Sequence, residues 1–476
     1  MTTAAKRDSM EATMEAVNAK LEGTKLESQP SNKRAIGLTD LPPSVRNNIY
    51  KYALDTELVN VGESPVSYSH TMKDGVLSFK ASRSPFPVNT ALFYVNKQIS
   101  KEALQYFYSK NLWVKFDVFS ADARHAKTML EDSGVLFSTA EPSTLDALKQ
   151  HAMELTLVEK NSAQKRAIVM FPAQYLPRLI NFMDMASRAS GAWAPGHKIF
   201  INVMNTYDFA TSRLQGDLLE LFRLLNNMGG ANVDPANLLP GYADNLQASM
   251  LEATFTADSW LESVGKIVDR ANEAREKGEW DMANQQGQAA VIAMTYGFLT
   301  RAEQLHSANE ELLKEIQRLR WRCELGIARA LFEKQKSATS TSGWLNDADI
   351  PLEKRKEVAT DVMAAETAAS RALSLATDSP SPASNPWFQS LPTELIPPNK
   401  AEWFTDAERG STWFVCGLIH AALGEALFAA GDLERACGLN PDGEGFENEF
   451  KKIRESIDFT QRPGMRLKEA VRLARG

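Results

Sequence analysis

Cysteine is nearly absent: Cys323, Cys416 and Cys437 are the only three in 476 residues. They share no short metal-type spacing, so the common zinc motifs are excluded, and a disulfide framework is not expected in so large a chain. Apolar runs of about 18 residues are missing, which excludes a membrane-spanning helix and argues against a membrane partner. The first residues contain acids and no continuous apolar stretch, so a secretory leader is not expected. These absences together read as a soluble protein of the cytoplasm or nucleus. A basic surplus is missing too: the net charge is −7, and no nucleic-acid partner is expected.

Catalytic motifs are equally scarce. No serine-hydrolase elbow, phosphate-cradling loop, dinucleotide glycine fingerprint or zincin helix occurs. The six histidines (70, 125, 151, 197, 306 and 420) are scattered, none at metal-ligand spacing from a carboxylate or Cys. The loop Asn440–Asn448 places oxygen ligands at alternate positions and a Gly at the sixth, like the start of an EF-hand. Its twelfth position is Lys451 rather than a bidentate Glu, so it reads as a helix stop and restart. No cofactor or metal is expected, and the chain reads as a non-enzyme. An enzyme would need a deep pocket with convergent polar groups, which is not expected here.

What is present divides along the chain. Residues 1–35 read as a disordered tail and 36–235 as an α+β domain. Within the latter, Leu58–Val61 and Val76–Phe79 suggest a hairpin. Ala121–Ser133, Leu145–Met153, Tyr175–Ala189 and Asp217–Met228 suggest helices, and Met153–Val158 and Lys198–Met204 suggest strands. Residues 255–460 read as all-helical. There Ser307 and Glu310 suggest a capping box, and 378–398 is a Pro/Ser-rich exposed insertion. Residues 461–476 form a basic tail, read as a solvated helix. The aromatics Tyr106, Phe107, Tyr108, Trp113 and Phe116 read as core.

The most informative segment is Leu38-Thr-Asp-Leu-Pro-Pro-Ser-Val-Arg-Asn-Asn-Ile-Tyr-Lys-Tyr-Ala-Leu54. It predicts a short helix with Val45, Ile49 and Tyr52 on one side and Arg46, Asn47 and Lys51 on the other. Its apolar stripe must be covered by other helices or by a partner. About forty residues later come Ala91–Tyr108, containing Val95-Asn-Lys-Gln-Ile-Ser-Lys-Glu-Ala103, and then Asn111–Phe116. The two stretches resemble the fungal F-box-like family, with its Leu-Pro-x-x-x-Arg-x-x-Ile-Tyr opening and Val-Asn-x-Gln-Ile-x-x-Glu-Ala helix. Trp113 stands where Phe is usual and Ser44 where Glu is usual.

In the helical half, Lys277–Ala283 and Ala430–Ala436 share Gly, acid, large apolar, two residues, Ala. Ala422–Phe428 and Leu325–Leu331 share a Leu-Gly form. These resemble tetratricopeptide repeats. Insertions at 337–350 and 378–398 break the register, so an irregular helical bundle is the alternative.

The F-box-like resemblance implies a Skp1-like adaptor of a cullin ubiquitin ligase as partner. The contact would fall on Leu41, Pro42, Val45, Ile49 and Tyr50, with a client held by the helical half. A second reading gives the motif a structural role only, with Leu41, Ile49, Tyr50, Val95, Ile99 and Leu104 as a private core. A third is a helical scaffold or co-chaperone unrelated to ubiquitination.

Overall fold

The computed structural model describes residues 37–306, 309–341, 343–377, 385–389 and 400–475. The tail 1–35 and the expected cap Ser307 lie outside them. The architecture is mixed, with helices predominating around a two-stranded and a five-stranded sheet. Among the described residues no helix is long and apolar enough to cross a membrane.

Helix α1 (Pro43–Leu54) starts on Pro42 and Pro43, where a missing N–H leaves no helical bond unmade. It packs on α2 (Lys97–Asn111), which opens at Asn96, whose side chain accepts from the Ile99 amide. Between them β1 (Tyr68–Lys73) and β2 (Val76–Ala81) form an antiparallel hairpin. Asp74 and Gly75 both take positive φ at its turn, as a two-residue hairpin loop demands. The expected partner of Val76–Phe79 was Leu58–Val61, which instead makes a single 3-10 turn, Leu58–Asn60. The true partner, β1, is exposed along most of its length.

The larger sheet has the order β5-β3-β4-β6-β7, with β3 (Trp113–Phe119), β4 (Met153–Glu159), β5 (Lys165–Pro172), β6 (His197–Val203) and β7 (Gly230–Val233). The pairs β3–β4 and β6–β7 are parallel and the other two antiparallel. Helices α3 (Ala123–Asp132), α4 (Leu176–Ala189) and α5 (Thr211–Leu219) lie between the strands in sequence. Phe116, Leu155 and Ile201 from one face of the sheet share a core with Met129, Leu179 and Ile180. The helix expected over Leu145–Met153 is only Pro142–Ala147, because Met153 already begins β4. The helix expected over Asp217–Met228 starts earlier, at Thr211, and decays into a 3-10 segment, Glu220–Leu224. Strands β5 and β7 have no counterpart in the sequence reading.

The helical half comprises α6 (Tyr242–Leu251), α7 (Ala257–Glu276), α8 (Trp280–Thr300), α9 (Glu310–Thr339), α10 (Leu352–Ala376), α11 (Asp406–Ala422), α12 (Ala426–Leu439), α13 (Phe446–Glu455) and α14 (Met465–Arg475). Its core is continuous with that of the sheet: one buried cluster includes Leu155, Leu218, Met294 and Ala470. Arg301 adds a polar tie, donating to the Leu224 carbonyl at 2.8 Å and to Asn226 Oδ1 at 2.7 Å.

Two corrections concern the helix turns and the tail. Gly278 does turn the chain, but Gly431 lies inside α12; the second turn is at Gly424. Gly278-Glu279 and Gly424-Glu425 share one geometry, with positive-φ glycines at +76° and +78°. In both turns the Glu amide reaches back five residues, to the Ala274 and His420 carbonyls. Residues 461–476 are not a solvated tail. Ala470 is fully buried, and the buried Glu425 carboxylate accepts from the Gly464 and Leu467 amides at the start of α14, at 2.8 and 2.9 Å. The described part of the Pro/Ser-rich insertion is likewise docked, with Trp387 and Phe388 buried.

The two glycines should therefore respond oppositely to alanine. Gly424→Ala places a side chain at positive φ and is expected to destabilise by about 1–2 kcal/mol. At Gly431 an added Cβ meets nothing within 4 Å, so Gly431→Ala should stabilise by about 1 kcal/mol. Urea midpoints of the two variants check both signs.

Candidate functional site

The residues carrying the family resemblance meet in space. Arg46 Nε donates to Glu102 Oε2 at 2.8 Å and its Nη2 to Oε1 at 2.9 Å, a bidentate pair between α1 and α2. Arg46 Nη1 donates to the Leu41 carbonyl. Tyr50 Oη and Gln98 Nε2 also donate to Glu102, at 2.9 and 3.0 Å. At the other end Asn111 Oδ1 accepts from the Thr56 amide and hydroxyl, and its Nδ2 donates to the Leu54 and Phe107 carbonyls. Tyr50, Leu54, Ile99 and Ala103 form a small core of their own.

This network turns α1 with Arg46, Tyr50 and Leu54 inward and its apolar stripe outward. Val45 is 41% and Tyr52 72% exposed, Pro42 is exposed, and Leu41 and Ile49 are half-buried. Tyr50, expected at the interface, is instead fully buried: it lies one turn beyond Arg46 and is held by Glu102. Arg46, expected on the polar side, is 8% exposed. Val95 and Leu104, expected in a private core, are exposed, as is Tyr94. Of the aromatic cluster, Trp113 and Phe116 are buried, while Tyr106, Phe107 and Tyr108 are half-buried and pack against the core, with Phe107 5.4 Å from Trp113 between ring centres.

A second constellation, unmarked by any sequence motif, sits where α10, α11 and α12 converge. A cavity of about 380 Å³ lies there, lined by Glu366, Trp413, Cys416, His420, Phe428 and Asp432 among others. The expectation concerned a deep pocket; this one is half-open, with Glu366, His420 and Asp432 converging on it. His420 Nδ1 contacts Asp432 Oδ2 at 2.6 Å, and Arg435 lies 3.6 Å from Asp432 with its guanidinium 4.7 Å over the Trp413 ring. Burial raises the Glu366 carboxyl above its ordinary range, opposed by His420. Burial, then the Asp432 and Glu366 charges, push the Cys416 thiol well up, so it is no thiolate nucleophile. The one signal of this site in the sequence is a set of ionisable residues on otherwise buried helix stripes, such as Glu366 between Val362 and Ala369.

Two other polar clusters are tied within the chain. The larger cleft beside the hairpin, about 810 Å³, holds Arg83 and Arg178, which donate to the Ser64 and Gly134 carbonyls. On the sheet, Lys115 and Lys165 share Asp146, with Glu154 and Asp117 as further partners.

Hydrogen bonds from Arg46, then Gln98, hold the Glu102 carboxyl at about 2, below its ordinary 4.5. A depressed folded pKa contributes stability above the unfolded value that is lost as pH falls through the folded one. The helix pair should therefore weaken between about pH 4.5 and pH 2. Glu102→Gln should flatten that part of the wild-type acid-unfolding curve and cost about 2 kcal/mol at pH 7. Compared with protein-family models, with curated proteins and with solved structures, the chain matches none.

Proposed function

We propose that the chain is a non-enzymatic interaction protein whose N-terminal F-box-like helix pair docks a Skp1-like adaptor of a cullin ubiquitin ligase, while the helical half holds a client. The observation that carries this reading is the outward stripe of α1. Val45, Ile49 and Tyr52 share one face, Leu41-Pro42 leads into it, and the opposite face has its own core and polar ties. An apolar stripe on so short a helix, left largely uncovered by the other described residues, suits a partner that buries it. The contact residues are then Leu41, Pro42, Val45 and Ile49, joined by Tyr52 in place of the buried Tyr50. The alternative, a helical scaffold or co-chaperone with tetratricopeptide-like hairpins, draws support from the shared Gly-Glu turns and needs no ligase.

The inward and outward faces predict separable effects. Val45→Glu with Tyr52→Ala should abolish co-purification of a Skp1-related adaptor and move the unfolding free energy by no more than about 0.5 kcal/mol, as for surface changes generally. Tyr50→Ala should lower stability by about 3 kcal/mol. An unmodified chain that retains no adaptor would overturn the ligase reading and leave the scaffold.

A further inference from the structure

We propose that the cavity between α10, α11 and α12 binds a small amine carrying an aromatic or branched apolar body. Three helix stripes build it: Glu366 and Ala369 on α10, Trp413 and His420 on α11, Phe428 and Asp432 on α12. Its volume, about 380 Å³, is within the range of small-molecule sites.

The charges select the ligand's head. Asp432 is engaged by His420 and Arg435, and Arg435, which also lines the cavity, lies over Trp413. Glu366 lines the same space and has no hydrogen bond or ion pair within the chain among the described residues. The unspent group is thus a carboxylate, half-buried, which calls for a cation or a strong donor. His420 Nδ1 is already taken up by Asp432, at 2.6 Å. An ammonium has donors and no acceptor, matching the free carboxylate. A ligand carboxylate would face Glu366 as a like charge.

The walls select the body. Leu427 and Phe428 are 36% and 38% exposed, large apolar side chains left without full cover at this cavity. Trp413 lines it too, its ring already covered by the Arg435 guanidinium. Gly431 contributes bare backbone, and a Cβ there would touch nothing within 4 Å. That vacancy is occupied by none of the chain's own side chains.

Calorimetric titration of the full chain with 2-phenylethylamine tests this, with 3-phenylpropionate as the control of similar body and opposite charge. The amine should bind saturably at one site and the acid should not. Glu366→Gln should weaken amine binding about tenfold or more, a difference of about 1.4 kcal/mol. Gly431→Leu should abolish it by filling the space, with the melting temperature held or raised as proof of folding. No saturable amine binding by the unmodified chain, acid binding as tight as amine binding, or a Kd indifferent to either substitution would each overturn the proposal.

Discussion

The roll of the first helix about its own axis is fixed by one partly buried ion pair, and the accessible surface of the N-terminal region follows from it. Arg46 is 8% exposed, and all three of its guanidinium nitrogens donate, two to Glu102 and one to the Leu41 carbonyl. A buried charge pair is tolerable only when its remaining donors and acceptors are met. Here Tyr50 and Gln98 complete the carboxylate, and Asn111 ties the far ends of both helices. Rotating α1 to bury Val45 and Tyr52 would break these bonds and strand two charges. The apolar stripe therefore stays outside, and the same guanidinium anchors the Leu-Pro entrance.

Much of this region was legible because its motif residues explain one another. The Arg and Tyr of the first stretch and the Gln, Glu and Asn of the second are partners in one network. What could not be read was which way the helix faces. By apolarity alone Val45, Ile49 and Tyr52 look like the core side, whereas the core side carries an Arg whose charge is cancelled by a residue 56 positions away. Long-range pairing of this kind leaves no periodic trace. The sheet shows a related limit: β4 alternates and is readable, while β5 is buried on both faces and reads as a bare apolar run.

The helical half was read correctly in kind and wrongly in detail. Ala and Gly abound on both sides of Gly431, so a search for Gly, acid, large apolar and Ala found a match inside a helix. The conformation that ends a helix belongs to Gly424. The cavity follows from how α11 and α12 fold back on each other at Gly424, which sets Asp432 against His420. The chain thus presents two unlike surfaces. One is an outward apolar stripe fixed by polar ties behind it; the other is a half-open space lined by both apolar and charged side chains, among them an unspent carboxylate.

The most direct test of the central claim is site-resolved thiol labelling of Val45→Cys and Leu54→Cys in the folded chain, followed by mass spectrometry with and without a purified Skp1-related adaptor. The account predicts that Cys at 45 reacts as an open thiol in the free chain and is shielded by the adaptor, while Cys at 54 is protected throughout. Protection at 45 in the free chain, or reactivity there that the adaptor leaves unchanged, would contradict it.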